Sequence, residues 1–244
     1  NNPRIKAHCK KSGYAAVYEN GYVSILKGTW KIRVLKANDI PITYDGKALH
    51  NVMNTLPSVL AAYLFRDISI EDIRSGLSTF VPSAAQTPGR LNMFEFRKCK
   101  FLVDFAHNPA GLELLGNFLS KMEGSPKVGI ISGTGDRRDD DIRELGSISA
   151  RFFDEIIIRC DKNLRGRTAE EIVNLLVEGI DSAKTRDIPT KIIYREQDAI
   201  TYAYENATPG SLITIMCDVV SEALDFIKGL KEKEDALVLA DKIA

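Results

Sequence analysis

The sequence lacks the features that would tie the protein to a membrane, a nucleic acid or an oxidising compartment. Its 244 residues contain no apolar run near the roughly 20 residues of a membrane-spanning helix, and the start shows no signal-peptide pattern. Lys plus Arg and Asp plus Glu each total 33, so no net charge attracts nucleic acid or an anionic membrane. The four cysteines lack the paired spacing of zinc or redox sites. We therefore expect a soluble, cytoplasmic protein that acts on a small molecule or a peptide.

The first part of the chain carries hairpin and helix patterns. Between residues 13 and 36, three short β-prone runs are separated by turn residues such as Asn20-Gly21, which favour hairpins. Over residues 49–64, apolar residues recur every three or four positions, as on one face of a helix. A second helix follows, with Ser69 placed to cap it.

After a linker at residues 82–89, which is rich in proline and small residues, strand and helix patterns alternate as in a parallel sheet. The predicted strands are residues 101–105, 128–132, 155–159, 190–194 and 212–216. The predicted helices are residues 109–122, 140–152, 168–182, 198–205 and 219–231. The fold class is therefore α/β, with a first domain at residues 1–86 and a Rossmann-like domain with a mostly parallel sheet at residues 87–244.

Most of the polar groups lie in three loops that follow predicted strands. In parallel sheets, ligands gather outside the carboxyl ends of the strands. We therefore expect one edge of the sheet to hold residues 104–109, 132–139 and 159–167.

The first of these loops places a carboxylate, an imidazole and an amide at a strand end, through Asp104, His107 and Asn108. Such a cluster can bind a polar ligand. The alternative is that Asp104 and Asn108 only cap the helix that follows, and their spacing leaves both interpretations open.

The second loop joins glycines to the charged residues Asp136, Arg137 and Arg138 and opens a helix, whose N-terminus can receive an anion. Three aspartates at residues 139–141 argue partly against an anion, although negative charge also suits the start of a helix. A solvated loop is the alternative.

The third loop mixes cations with a carboxylate, through Asp161, Asn163, Arg165 and Arg167, so it could hold a ligand that bears both charges. An ordinary charged surface turn is the alternative. Thr168 also begins a capping-box pattern, which gives part of this segment a role in folding.

Four blocks of the sequence resemble, in the same order and spacing, the cyanophycin synthetases of the Mur ligase superfamily. These blocks are residues 87–92, 103–109, 133–144 and 159–167. Upstream, residues 46 and 50–54 resemble the helix with paired asparagines in the central ATPase domain of Mur ligases. The resemblance covers nearly the whole chain, and implies that residues 1–86 are the remainder of that ATPase domain.

The resemblance implies a two-step ligation that uses ATP and Mg²⁺. ATP phosphorylates a carboxylate, and an amine then attacks the acyl phosphate to give an amide. In cyanophycin synthetases, the Mur-like part adds arginine to aspartate side chains of a polypeptide acceptor. The implied partners are therefore an amino acid and a polypeptide, without nucleic acid or membrane, and a homo-oligomer is left open.

The resemblance also assigns residues to the nucleotide. Arg90 matches a position whose guanidinium approaches the γ-phosphate, which makes it the catalytic candidate. Asn51 and Asn54 match positions near adenine, where amides can donate and accept. The alternative for Arg90 is that it only fixes the linker by pairing with an acid such as Glu95.

The first loop, with Asp104, His107 and Asn108, matches the nucleotide's neighbourhood in the family. Phe105 is a departure, because related enzymes often carry Tyr there. The expected amino-acid contacts are Asp136, Arg137, Arg138, Asp161, Asn163, Arg165 and Arg167. Among them, Asp161 suits a guanidinium, and Arg165 or Arg167 suits an α-carboxylate.

The family's glycine-rich triphosphate loop ending in Lys and Ser or Thr is absent from these residues. The start at Asn1 rather than Met suggests a fragment, and the metal ligands are expected upstream of it. We therefore expect this chain alone to be inactive. The rival interpretations are a peptidoglycan or folylpolyglutamate ligase of the same superfamily, and a non-catalytic nucleotide-binding or assembly module.

Overall fold

The structure is a computed structural model that describes the backbone of residues 2–243 and the side chains of residues 2–240. It divides into two compact units, Asn1–Pro82 and Ser83–Ala244. Each of its two sheets lies within one unit. Residues 1 and 244, the outer ends of the two predicted domains, lie outside the described residues.

The first unit is a three-stranded antiparallel sheet with helices. Its elements are α1 (Pro3–Lys10), β1 (Tyr14–Glu19), β2 (Tyr22–Lys27), β3 (Trp30–Lys36), α2 (Leu49–Leu64) and α3 (Ile70–Thr79). The predicted hairpins and both predicted helices are present, and Ser69 caps α3 in a reciprocal capping box with Asp72. Apolar residues of β2, β3, α2 and α3 form the core of this unit.

The second unit is a six-stranded sheet with helices. Its strands are β4 (Asn92–Glu95), β5 (Cys99–Asp104), β6 (Lys127–Ile131), β7 (Glu155–Ile158), β8 (Thr190–Ile192) and β9 (Ser211–Met216). Its helices are α4 (Pro109–Leu119), α5 (Asp139–Phe152), α6 (Ala169–Ala183), α7 (Glu196–Glu205) and α8 (Val220–Ile243).

The strands lie in the order β4-β5-β9-β6-β7-β8, and only β4 runs antiparallel to its neighbour. The predicted α/β class with a mostly parallel sheet is therefore confirmed. Every residue of β9 is buried, as expected for a central parallel strand covered on both faces.

Three elements differ from the sequence prediction, and the first of them, α1 (Pro3–Lys10), was not predicted. Strand β4 was not predicted, because a four-residue strand is recognisable only through its antiparallel pairing with β5. Helix α8 continues well past residue 231, where the predicted helix ended. The charged run after that position resembles a solvated tail, but Glu234 is buried there and accepts hydrogen bonds from the backbone N–H of Arg97.

Helices α5 and α6 pack so closely that glycine is required where they meet. A Cβ atom on Gly179 of α6 would lie 1.9 Å from the carbonyl oxygen of Arg143 on α5. A Cβ on Gly146 of α5 would lie 2.2 Å from the carbonyl oxygen of Leu176. Because the clashing atoms belong to backbone, the helices themselves would have to move apart.

We predict that Gly179→Ala lowers the free energy of unfolding by about 1–3 kcal/mol, since it overpacks this helix pair. Gly229→Ala in α8 is the matched control, because no atom lies within 4 Å of the Cβ it would add. That control should raise stability by up to about 1 kcal/mol, through helix propensity alone. Urea unfolding followed by circular dichroism measures both variants, and equal stability in the two would contradict the packing argument.

Candidate functional site

Four loops meet at the carboxyl edge of the parallel strands. They are residues 105–108 after β5, 132–138 after β6, 159–168 after β7 and 217–219 after β9, and together we call them the rim. A cleft of about 40 Å³ is lined by residues from all four loops. The three loops predicted to share one edge therefore do so, and the sequence interpretation had left out the fourth.

A tight turn holds Arg90 just before β4. Gly89 has a φ of +68°, and a Cβ there would lie 2.7 Å from a methyl carbon of Val220, so only glycine fits. The Gly89 N–H donates to Asn92 Oδ1 at 2.7 Å, and the Gly89 carbonyl accepts from Phe105 N at 2.9 Å. These bonds tie the turn to β4 and to the first loop of the rim.

The side chain of Arg90 is exposed. Its guanidinium carbon lies 5.8 Å from the ring centroid of Phe105, a cation–π contact. Glu95, the acid considered as its alternative partner, pairs with Lys100 at 2.8 Å instead. The structure thus gives no support to the interpretation that Arg90 only fixes the linker by pairing with Glu95.

Asp104, at the end of β5, accepts a hydrogen bond from the Leu91 N–H at 3.0 Å through Oδ2. Burial raises the pKa of Asp104 to about 6, although the N–H groups of Leu91 and Ala106 and the charge of Arg90 act in the opposite direction. The carboxylate therefore braces the turn that carries Arg90. A strongly perturbed carboxyl at a strand end is typical of functional sites.

The other two polar groups of this loop have local partners. Asn108 is the N-cap of α4, and its Oδ1 accepts from the Gly111 N–H at 2.8 Å. His107 Nδ1 lies 3.0 Å from the Phe105 carbonyl oxygen. Because a carbonyl can only accept, this bond requires a proton on Nδ1, and in the tautomer with that single proton Nε2 is an acceptor.

Ion pairs link the second and third loops of the rim. Arg165 Nη1 donates to Asp136 Oδ2 at 2.9 Å, and Asn163 Oδ1 accepts from the Arg165 N–H at 2.9 Å. Arg138 makes a bidentate pair with Asp141 at 2.7 and 3.2 Å. Three of the predicted substrate-binding residues thus satisfy one another, and Arg138 is satisfied by Asp141 in the first turn of α5.

Arg167 links the two loops by hydrogen bonds, whereas Arg137 has no acidic partner within residues 2–240. The guanidinium of Arg167 donates to the carbonyls of Gly135 and Arg137 at 2.8 and 2.9 Å and to Asp139 Oδ1 at 2.7 Å. By contrast, no acidic group of residues 2–240 forms an ion pair with the side chain of Arg137. Arg137 is therefore the predicted cation best able to meet an external anion.

A buried arginine that sequence analysis missed organises the centre of the rim. Arg159, 2% exposed, forms ion pairs with Asp161 and with Glu196, whose Oε2 lies 3.1 Å from Arg159 Nε. It also donates to the Met216 carbonyl at the end of β9. Asp161, expected to receive a substrate guanidinium, is already neutralised by Arg159. In sequence, Arg159 resembles one more charge in a polar loop, and only its position after an apolar strand could have distinguished it.

The two predicted adenine contacts lie on α2 of the first unit. Asn51 Nδ2 donates to the Ile42 carbonyl at 2.8 Å, so part of this amide supports the fold. Asn54 is exposed.

A search of the described part of the chain finds no group of three or more His, Cys, Asp or Glu residues that could hold a metal ion. Within residues 2–243, no helix is both long and apolar enough to cross a bilayer.

We predict that Asp104→Asn stabilises the protein near neutral pH. The pKa of Asp104 is about 6, above the ordinary value of 3.8, so the protonated carboxyl contributes to the stability of the fold. This contribution is fully present below about pH 4 and is lost as pH rises through 6. Asparagine keeps an acceptor for the Leu91 N–H and carries no charge. The variant should therefore gain about 1–3 kcal/mol at pH 7 and nothing at pH 4.

Urea unfolding of wild type and variant across this pH range measures the difference. Asp225→Asn, which changes an exposed carboxylate on α8, is the control and should shift stability equally at both ends of the range. A difference between wild type and Asp104→Asn that does not change with pH would contradict the assignment.

Comparison with known proteins identifies the family. The model of the "Mur ligase, glutamate ligase domain" matches residues 89–218, more than half of the chain. The cyanophycin synthetase of Synechocystis sp. is 41% identical over 230 residues, which cover 94% of this chain and 26% of that protein. A diaminopimelate-adding ligase, UDP-N-acetylmuramoyl-L-alanyl-D-glutamate--2,6-diaminopimelate ligase of Caldanaerobacter subterraneus, is 29% identical over 74% of this chain and 35% of its own length. The chain thus spans about a quarter of the length of the cyanophycin synthetases it matches.

Solved structures agree on the fold. E. coli FolC in complex with DHPP and ADP has a TM-score of 0.62 at 16% identity, covering 90% of this chain and 46% of that chain. A bifunctional folylpolyglutamate synthase/dihydrofolate synthase from Yersinia pestis has a TM-score of 0.59 at 19% identity, with 90% and 45% covered. At these identities the likeness concerns the fold alone. With the family model and the cyanophycin synthetases, the resemblance inferred from the sequence is confirmed, and the chain belongs to the Mur ligase family.

Proposed function

We propose that the chain is part of an ATP-dependent amide ligase of the cyanophycin synthetase kind. The complete protein would activate aspartate side-chain carboxylates of a polypeptide as acyl phosphates and join arginine to them, in the cytoplasm. The observation that carries this proposal is the turn at Gly89, which fixes an exposed Arg90 beside the braced carboxylate of Asp104. The 41% identity to cyanophycin synthetases supports arginine as the amino acid.

Arg90 is proposed to act on the transferring phosphoryl group. A guanidinium is a planar, permanently charged fork that can contact two phosphate oxygens together. The backbone of Arg90 is held by the hydrogen bonds of the Gly89 turn. Little reorganisation of Arg90 is therefore needed when negative charge develops on the phosphoryl group. Its cation–π contact with Phe105 uses the aromatic ring and not a hydrogen-bond acceptor, so the N–H groups of Arg90 can donate to phosphate oxygens.

The nucleotide contacts are proposed separately for each unit. Asn51 and Asn54 would contact adenine, and Asp104, His107 and Asn108 would lie near the ribose or phosphates. His107 offers an acceptor at Nε2, whereas the role of Asn108 is to begin α4 in the correct place. Mg²⁺ would neutralise phosphate charge when bound.

The amino acid is proposed to bind at the rim. Its α-carboxylate would meet the unpaired Arg137 and the guanidinium of Arg165, which is half-exposed in its pair with Asp136. Arg167 and Arg138 would support the loops, because their guanidinium groups are already bonded. Asn163 would hold the backbone of Arg165 in its left-handed conformation, with a φ of +48°.

The domain assignment follows from the same family. We propose that the first unit is the remainder of a Mur-type central ATPase domain and that the second is the C-terminal domain. The chain contains no glycine-rich loop ending in Lys and Ser or Thr, so by itself it should neither hydrolyse ATP nor form amide bonds. The oligomeric state of the complete protein is left to measurement.

The test is a ligation assay of the complete protein and of this chain side by side. With ATP, Mg²⁺ and an aspartate-rich peptide acceptor, we predict arginine-dependent release of ADP by the complete protein and none by the chain. Replacing arginine with glutamate or diaminopimelate should abolish turnover. Turnover that prefers either of those amino acids would instead assign the protein to a folylpolyglutamate or peptidoglycan ligase. If none of these amino acids is ligated, the protein is instead a binding or assembly module.

We predict that Arg90→Ala in the complete protein lowers kcat by at least about 100-fold, with little change in the KM for arginine, as expected for a group that acts in phosphoryl transfer. Arg90→Lys should also be impaired, because an ammonium group lacks the planar fork. Arg97→Ala, on the turn between β4 and β5, is the control. Near-normal kcat in both Arg90 variants would end the catalytic assignment.

A further inference from the structure

The first 36 residues carry a large excess of positive charge. They contain eight lysines and arginines and one acidic residue, Glu19, although the whole chain is neutral. Of these eight cations, only Lys31 forms an ion pair with an acid of residues 2–240, and its partner is Glu19. The rim differs, because Arg159, Arg165 and Arg167 are all paired with acids there. The first unit therefore presents positive charge that ion pairs within the described residues do not neutralise.

Three of these cations lie along β3, an edge strand of the three-stranded sheet. Lys31, Arg33 and Lys36 are all exposed. Lys31 and Arg33 are two residues apart, so their side chains point to the same face of the sheet. Lys36 comes three residues after Arg33, and in a regular strand it would point to the opposite face.

A β-bulge in β3 brings Lys36 back to the face of the other two cations. Adjacent residues of β2 pair with Arg33 and Leu35, so Val34 is an extra residue in β3. An extra residue shifts the alternation of side chains by one position. The ring of Tyr22 supports the shared face, since the Arg33 guanidinium carbon and Lys36 Nζ lie 5.0 and 5.9 Å from its centroid. We call Lys31, Arg33 and Lys36 the basic row.

The outer edge of β3 is partly closed to the addition of another strand. Arg74 of α3 donates to the carbonyls of Arg33 and Val34, both at 2.9 Å. These bonds occupy acceptors that the backbone of an added strand would need. A ligand of the basic row therefore meets its side chains rather than its backbone.

The spacing of the basic row suits an extended acidic peptide. Alternate residues of a strand are about 7 Å apart, and the same distance separates alternate side chains of an extended peptide. Carboxylates on one side of such a peptide can each meet a cation of the row. Hydrogen bonds between these charged groups are stronger than those between neutral groups.

Single-stranded nucleic acid is another polyanion that a basic surface could hold, and it uses aromatic rings on which its bases stack. The ring of Tyr22 is already covered by the chain's own cations, and Lys27 Nζ lies 4.5 Å from the centroid of Tyr14. Trp30, next to Lys31, is the exposed ring of β3. An acidic polypeptide needs no stacking surface, so these contacts favour it over nucleic acid.

We propose that the basic row binds an acidic polypeptide in an extended conformation, with alternate carboxylates at Lys31, Arg33 and Lys36. Lys31 exchanges Glu19 for a carboxylate of the peptide, at small cost because the two side chains are 41% and 38% exposed. That this polypeptide is the acceptor of the ligation rests on the proposed function, whereas the preference for an acidic chain rests on the row. The row is then a docking site for the acceptor outside the rim.

The docking site can be tested on this chain without catalysis. A fluorescein-labelled peptide of about six aspartates matches the row, which is about 17 Å long. Fluorescence anisotropy should show binding that weakens as NaCl is raised, because salt screens exposed charges. A peptide of asparagines of the same length should not bind. Trp30 is the only tryptophan, so its fluorescence should change when the unlabelled aspartate peptide binds.

Arg33→Gln and Lys36→Gln should each weaken binding of the aspartate peptide about two- to fivefold, because one exposed charge contact is lost. Arg66→Gln is the matched control. It changes an exposed arginine in the loop between α2 and α3 of the same unit, and it should bind as the wild type does.

Glu19→Gln should strengthen binding of the aspartate peptide about two- to threefold, since Lys31 loses its competing partner. Asp67→Asn, which changes an exposed carboxylate in the loop between α2 and α3, should leave the affinity unchanged. A gain of affinity is not the result of misfolding, so Glu19→Gln separates the proposal from damage to the structure.

The complete protein tests whether the occupant is the acceptor. Combining Arg33→Gln with Lys36→Gln should raise the KM for a long aspartate-rich acceptor at least about threefold more than the KM for an acceptor too short to span the row. Equal changes in the two KM values would overturn the acceptor as the occupant.

Failure of this proposal is distinguishable from failure of the proposed function. Equal binding of the aspartate and asparagine peptides, or unchanged affinity in the Arg33 and Lys36 variants, would overturn the docking site even if the complete protein ligates arginine. Tighter binding of oligothymidylate, or of vesicles of phosphatidylserine and phosphatidylcholine, would also overturn it. Conversely, peptide binding with the predicted responses supports the site, even if the ligation assay shows a different reaction.

Discussion

The rim depends on one buried cation. Arg159 follows the end of β7 and pairs with Asp161 in its own loop, and it connects that loop to two other elements, through Glu196 at the start of α7 and the Met216 carbonyl at the end of β9. Loss of one partner from a buried ion pair costs about 3–5 kcal/mol, because the remaining charges are left unpaired away from water. The loop after β7, which carries Asp161, Asn163 and Arg165, is therefore positioned by an arginine that is itself buried.

Asp104 differs from Arg159, because its charge lowers the stability of the fold at neutral pH. Its burial raises its pKa to about 6, so the ionised carboxylate reduces stability at neutral pH. An asparagine could accept the same bond from Leu91 without that cost. The acid at this position is consistent with a need for negative charge close to Arg90, since active sites often retain groups that are unfavourable for folding.

The sequence predicted what is determined locally. Patterns within a few residues predicted the strands of the parallel sheet, the capping boxes at Ser69 and Thr168 and the helix start at Pro109. The structure contains all of these features. The pairings of charged residues did not follow in this way. Arg165 bonds Asp136 across 29 residues, and Glu234 holds the N–H of Arg97 across 137. A charged residue in a loop gives no sign in sequence of whether it faces a ligand or a distant partner, so the pairing of Asp161 with Arg159 and of Arg167 with Asp139 could not be predicted.

This internal pairing explains how the rim could discriminate among amino acids. Arg165 pairs with Asp136, so a charge that is proposed to meet substrate already has a partner within the protein. On the proposed function, the α-carboxylate of the incoming amino acid would replace Asp136 as the partner of Arg165. Discrimination among amino acids would then reflect the balance between the ion pair that is lost and the ion pair that is gained.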